Sequence, residues 1–212
     1  MDKQQEQLET LREIRSLMDR SSRFLSLSGF SGVFLGLAAL AGVMAAYLFL
    51  GLSLTDAGYY KLAVGESGES NTGFYSFLFK DFSIVLLFSL TAAIMLTKKK
   101  AKRQGLPIWD ATAKRLLFNM AIPLVAGGLY CLILLYHGLI GFIAPATLIF
   151  YGLTLLNASK YTLNDIRYLG IVEIATGLLA AIFIDFGLLF WAFGFGILHI
   201  IYGISMYLKY EK

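Results

Sequence analysis

The chain has 212 residues, of which 58% are hydrophobic and only 15% charged, with a mean hydropathy of +0.69. A soluble domain carries about a quarter charged residues, so this apolar excess needs lipid to face. The net charge of +4 matters less than where the charges fall, and the single cysteine, Cys131, excludes both a disulfide framework and a Cys-based metal site.

Residues 4–18, "QQEQLETLREIRSLM", place Leu8, Leu11, Ile14 and Met18 on one helical stripe. This predicts a cytoplasmic amphipathic helix within 1–23. It either lies on the inner leaflet or serves as an arm for a cytoplasmic protein partner or a second copy. The segment is too long and too mixed in charge for the start of a signal peptide.

Apolar runs of spanning length follow at 24–50, 78–97, 116–137, 139–157, 167–185 and 188–208. Crossing a hydrocarbon core of about 30 Å takes roughly 20 residues, and lipid offers no partners for open backbone, so these runs must be helices. The second run is short and has to extend back through Lys80 and Asp81. The outer loop 53–73, "SLTDAGYYKLAVGESGESNTG", is rich in Gly and Ser and reads as mobile. The run "KKKAKR" (98–103) reads as a topogenic anchor rather than a nucleic-acid patch. Asp110 and Thr162 read as N-caps of spans three and five. Trp109, Tyr136, Tyr161, Tyr168, Trp191 and Tyr210 fall near span ends, where aromatic rings favour the interface.

All but Lys61 and Lys80 of the 18 basic side chains fall on one side of this arrangement. The positive-inside rule then puts both termini in the cytoplasm, which requires an even number of spans. The fold class expected is all-α: a polytopic membrane protein of six transmembrane helices, 24–210, built as three hairpins at about 24–97, 115–161 and 167–210. The localisation expected is the inner membrane of a bacterium, multi-pass, with the lipid bilayer as its standing partner.

"IFYGLTLL" (149–156) and "IIYGISMY" (200–207) align without gaps, and "RFL", "RLL" and "RYL" open the odd spans at Arg23, Arg115 and Arg167. These matches suggest a hairpin repeated in one orientation. Ser28, Gly32 and Gly36 form a ridge of small residues on the first span, suited to close packing within the chain or, less simply, between two copies.

Ionisable groups inside spans are the best pointers to a site, since each is costly unless paired or hydrated. Here they are Glu173 and His199, with Asp185 and His137 at outer ends. Glu173 and His199 are equidistant from Phe186, the pivot of the last hairpin, so both lie ~20 Å below the turn. Gly170 and Gly177 flank Glu173 as Gly196 and Gly203 flank His199, and would clear space beside the pair. Thr176 and Tyr202, each three residues away, complete a polar or proton site. Asn119 and Asn157, equidistant from Gly138, form a second polar pair. Two readings follow: a proton-coupled site serving a small solute, with Pro123 and Pro145 bending helices around a cavity, or a structural clasp. No HExxH, clustered-Asp, Walker or zinc spacing is present, and His137 and His199 sit at different depths for a shared haem. No cofactor, metal, catalytic residue or nucleic-acid partner is expected, and enzyme activity is the weaker reading.

The stretch "TLIFYGLTLLNASKYTLNDIRYLGIVEI" (147–174) resembles a segment of a group of small bacterial inner-membrane proteins of six spans, over most of the chain from Arg115 onward. The resemblance implies membrane location and topology. It carries no activity and no functional residue. The function expected is therefore a small transporter or permeation protein built on Glu173 and His199. The alternative is a non-catalytic scaffold or sensor that engages a cytoplasmic partner.

Overall fold

The computed structural model describes residues 5, 7, 24, 28–53, 56–64, 69–105, 107 and 109–212. The amphipathic stripe at 4–18 and the basic residues before Phe24 lie outside the described residues. What is described is all-helical, with one isolated bridge between Val64 and Ser70.

Helix α1 (Gly29–Leu50) stops at Gly51, whose φ of +64° belongs to the left-handed region that closes helix ends. Helix α2 (Thr72–Arg103) starts where the Asn71 side chain accepts the Phe74 N–H at 3.1 Å. Helix α3 (Ala111–Tyr136) starts on Asp110, whose Oδ1 accepts the Ala113 N–H at 2.6 Å, as its sequence position suggests. A short 3₁₀ turn (Ile140–Phe142) leads into α4 (Ile143–Ala158). Helix α5 (Asp165–Ile182) is followed by a 3₁₀ turn (Ile184–Phe186) and by α6 (Gly187–Trp191). A π-helical segment (Ala192–Leu198) then joins α6 to α7 (His199–Tyr210).

Among the described residues, five segments are long and apolar enough to cross a membrane: 29–50, 72–103, 111–136, 140–158 and 184–210. The chain is thus compatible with a membrane location. Helix α5 falls short of that description, having 18 residues with Asp165, Arg167 and Glu173 among them. The second span is longer than its apolar run. Its 32 residues continue through Lys80 and Asp81 and beyond Lys98, giving a rod of ~48 Å.

Helix α4 is the most enclosed element, packed between α3 and α5, while α1 packs between α2 and the last segment. The third expected hairpin is therefore splayed. Helix α5 leans on α4 and α7 leans on α1, and the two approach each other chiefly around the π segment. The small ridge explains the second contact. A Cβ on Gly32 would meet the Gly203 Cα at 3.1 Å, and one on Gly36 would meet the Gly196 carbonyl oxygen at 2.5 Å. The ridge thus packs within the chain.

The end of the bundle that gathers the basic run also holds its polar ties. The Glu211 carboxylate accepts from the Gly29 N–H and the Ser28 hydroxyl and lies 3.2 Å from Lys100 Nζ. An acid at a helix start complements the orphan N–H groups and the dipole there. Lys100, read from the sequence as one of a row of solvated anchors, is buried. Thr162 does not cap α5. Its hydroxyl donates to the Phe24 carbonyl at 2.7 Å, and Asn164 occupies the cap position. Trp191 sits inside the last span, with its ring 4.8 Å from Phe195.

The opposite end is closed by part of the loop expected to be mobile. Residues Tyr59–Ala63 form a 3₁₀ turn that buries Tyr59 and Ala63 against Phe74 and Ile140. The Gly58 N–H and the Tyr60 hydroxyl donate to the Asp185 carbonyl and carboxylate, at 2.9 and 3.0 Å. The hydrogen bond to Asp185 is the main reason the Tyr60 phenol titrates above its ordinary range. Gly and Ser content marked the segment as irregular, but the aromatic pair inside it gives it a core of its own.

Candidate functional site

The structure brings Glu173 and His199 together, with Glu173 Oε1 3.4 Å from His199 Nδ1. Glu173 is 0% exposed and His199 3%. Glu173 stands midway along α5 and His199 opens α7, so the two helices meet here before they diverge.

The histidine is fully engaged. Its Nδ1 lies 3.0 Å from the Gly194 carbonyl oxygen, and its Nε2 lies 2.9 Å from the Tyr151 hydroxyl. A carbonyl only accepts, so Nδ1 carries a hydrogen. In the neutral ring Nε2 is then the acceptor and the Tyr151 hydroxyl the donor. Both the Gly194 carbonyl and the Gly196 carbonyl that accepts the His199 backbone N–H belong to the π segment. Local π-helix of this kind is found often at functional positions.

The carboxylate is the opposite case. Among the described residues neither Glu173 oxygen has a hydrogen-bond partner, although both are buried. Buried polar atoms are nearly always paired, and an ionised carboxylate without donors in a dry interior is costly. Space for it comes from Gly194, where a Cβ would lie 2.6 Å from Glu173 Oε2 and would also strike Leu148. The glycines that flank the pair in sequence do something else. Gly170 and Gly177 admit α4, at the Gly152 carbonyl and the Ile149 backbone, while Gly196 and Gly203 admit α1. They frame helix crossings rather than a cavity around the pair.

Thr176 is buried one turn along α5, and among the described residues no hydrogen bond joins it to either member. Tyr202 lies one turn along α7, its hydroxyl buried and, among the described residues, without a hydrogen-bond partner. Asp185 belongs to the loop contacts at the far end, and His137 is an exposed C-cap beside Tyr136.

Asn119 and Asn157 also meet, for a reason that lies with Pro123. A proline inside a helix cannot donate to the carbonyl four residues back, which for Pro123 is that of Asn119. The Asn157 amide donates to that freed carbonyl at 2.7 Å. Asn157→Leu is therefore expected to cost about 2 kcal/mol by orphaning the carbonyl. The same change in a Pro123→Ala background, where the backbone N–H is restored, should cost clearly less in a detergent unfolding titration. Pro145 lies in the first turn of α4, where no intrahelical donor is needed, and it bends nothing there.

Sequence reasoning missed Tyr151 because it comes from α4, outside the hairpin whose spacing predicted the pair. The signal was present in the repeated "YG". Tyr151 and Tyr202 are its two tyrosines, and Gly152 and Gly203 both sit at close backbone crossings. Thr154 and Ser205, also equivalent, both donate to the carbonyl four residues back, at 2.8 and 2.9 Å. Among the described residues no group of three His, Cys, Asp or Glu side chains is placed to hold a metal. Chemically the site is an acid, an imidazole and a phenol in contact, an arrangement suited to holding and passing a proton. No protein-family model matches the chain, and no curated protein or solved structure matches it.

Proposed function

We propose that the chain is a small transporter or permeation protein of a bacterial inner membrane, in which Tyr151, His199 and Glu173 bind the proton that is moved, alone or with a small solute. On this reading α5 joins the other five segments to make six spans and the basic end faces the cytoplasm, in keeping with the positive-inside rule. The observation that carries the proposal is the asymmetry of the pair. His199 is saturated on both nitrogens, whereas Glu173 is saturated on neither oxygen. A side chain kept only to fix helix packing gains nothing from unsatisfied oxygens, and intramembrane acids serve proton and ion pathways by default.

Proton uptake into liposomes, driven by a potassium diffusion potential and followed with an entrapped pH dye, tests this. Glu173→Gln keeps size and polarity and should lower the initial rate on the order of a hundredfold. Tyr151→Phe should lower it less. The alternative, a clasp within a scaffold or sensor, draws on the burial of the pair. It requires Glu173→Gln to change thermal stability while leaving proton uptake equal to that of protein-free liposomes in every variant.

A further inference from the structure

The repeated "YG" supplies two phenols, Tyr151 and Tyr202, and the fold brings both to one place. Each packs against the buried cluster of Leu155, Ile166 and Leu169. Tyr151 holds His199 Nε2 at 2.9 Å. Tyr202 stands one turn beyond His199, and at ~100° per residue His199, Tyr202, Lys209 and Tyr210 share a sector of α7 about 100° wide. On α5, Glu173, Leu169 and Asp165 follow at steps of four residues, which keeps them on one side of that helix. Two lines of side chains therefore lead from the buried pair to the basic end.

The lines join there. The Tyr210 hydroxyl donates to Asp165 at 2.6 Å, and Lys209 donates to the same oxygen at 2.8 Å. Asp165 is partly exposed and so meets solvent. Tyr202 lies inside, its hydroxyl buried and, among the described residues, without a hydrogen-bond partner. The groups that act electrostatically on this phenol are Asp165, Tyr151 and Tyr210, one beside the buried pair and two at the basic end. A phenylalanine would fill the same space without burying a polar atom, so the hydroxyl contributes nothing to packing.

We propose that Tyr202 is the second phenol of a proton relay that runs from Asp165 at the basic end, through Tyr202 and Tyr151, to His199 and Glu173. The inference rests on the proton-moving reading of the Glu173 site and names its route. A proton delivered from Asp165 binds the Tyr202 oxygen as the Tyr202 hydroxyl gives its own to Tyr151. Tyr151 gives its own to His199 Nε2, and the Nδ1 proton passes to Glu173 Oε1, 3.4 Å away. Each hydroxyl gains one proton as it loses one, so no phenolate forms. The imidazole stays neutral, with its proton moved from one nitrogen to the other, and a half-turn of the ring and of the hydroxyls restores the start.

Proton uptake into liposomes by the full chain, paired with unfolding in mixed micelles, tests the route. Tyr202→Phe should lower the initial rate on the order of tenfold while stability stays equal or rises slightly, since only an unpaired hydroxyl is lost. Asp165→Asn should slow uptake to a similar extent. Tyr130→Phe, the same change at an exposed tyrosine of α3, should leave the rate at that of wild type. Because the phenols act in series, Tyr151→Phe with Tyr202→Phe should be no slower than the slower single variant, whereas independent packing defects would multiply. A slowed Glu173→Gln alongside wild-type rates in Tyr202→Phe or Asp165→Asn overturns the route alone. A Glu173→Gln as fast as wild type, or a wild type no faster than protein-free liposomes, overturns the proton-moving reading and the route with it.

Discussion

Gly203→Ala is expected to destabilise the bundle by about 3 kcal/mol, while Gly128→Ala leaves it unchanged or up to about 1 kcal/mol more stable. The two changes are chemically identical and both lie in helices, so only surroundings distinguish them. A Cβ at position 203 would lie 2.6 Å from the Val33 nitrogen and 2.7 Å from the Gly29 carbonyl oxygen. Those are backbone atoms of α1, which cannot swing aside as a side chain would. Relief requires α1 to separate from the last segment along all the close approaches at Gly29, Gly32 and Gly36, losing dispersion contacts far from the new methyl. At Gly128 nothing lies within 4 Å, and alanine brings only its better helix propensity. Unfolding of the two variants in mixed micelles, titrated with a denaturing detergent, measures the difference. Equal stabilities would mean that α1 and α7 do not cross at this point.

Glu211→Ala should cost about 3 kcal/mol, more than a surface ion pair is worth, because one carboxylate serves the Gly29 N–H, the Ser28 hydroxyl and a nearly buried ammonium together. The Lys100 and Glu211 side chains are 9% and 15% exposed, and the same carboxylate serves the Gly29 N–H and the Ser28 hydroxyl. One side chain thus ties the start of α1, the end of α2 and the end of α7. Glu211→Gln keeps an acceptor for Gly29 but not the charge, and should fall about midway between wild type and alanine. The loss should persist in high salt, since a pair this shielded is little screened. A loss that disappears at about 1 M salt would place the pair in solvent instead.

The all-helical class was legible in the run of long apolar segments. Long apolar runs have few options, and the glycines and capping acids that end them are local signals. The contact between Glu173 and His199 was legible for a similar reason. A tight turn at Asp185–Phe186–Gly187 makes residue counting a measure of depth. Counting gives no rotation, however, and here it misassigned the neighbouring glycines. Gly170, Gly177, Gly196 and Gly203 look like a frame around the pair because they share its helices, yet each faces a third helix. Tyr151 and Gly194 build the surroundings of the pair. One comes from a different hairpin, and the other acts through a departure from α-helical winding that residue patterning does not express. Lys100 escaped notice because a run of lysines reads as uniform, whereas one facing the bundle is set apart only by a partner 111 positions away.

The π-helical stretch between α6 and α7 has a consequence for how the last span tolerates change. An α-helix advances ~100° per residue, so its two ends are geared together and any insertion turns one against the other. Between Ala192 and Leu198 that gearing is loosened, and α6 and α7 keep separate phases: one set by the Tyr59 loop at Gly187, the other by α1 at Gly203. Loss of one residue there can be taken up by tightening the winding, with both docking faces left in place and only the imidazole's bond to the Gly194 carbonyl given up. The same loss within α7 would turn Gly203 away from α1. The joint therefore lets the span change length without changing partners, and it places His199 at the boundary where such a change is felt first.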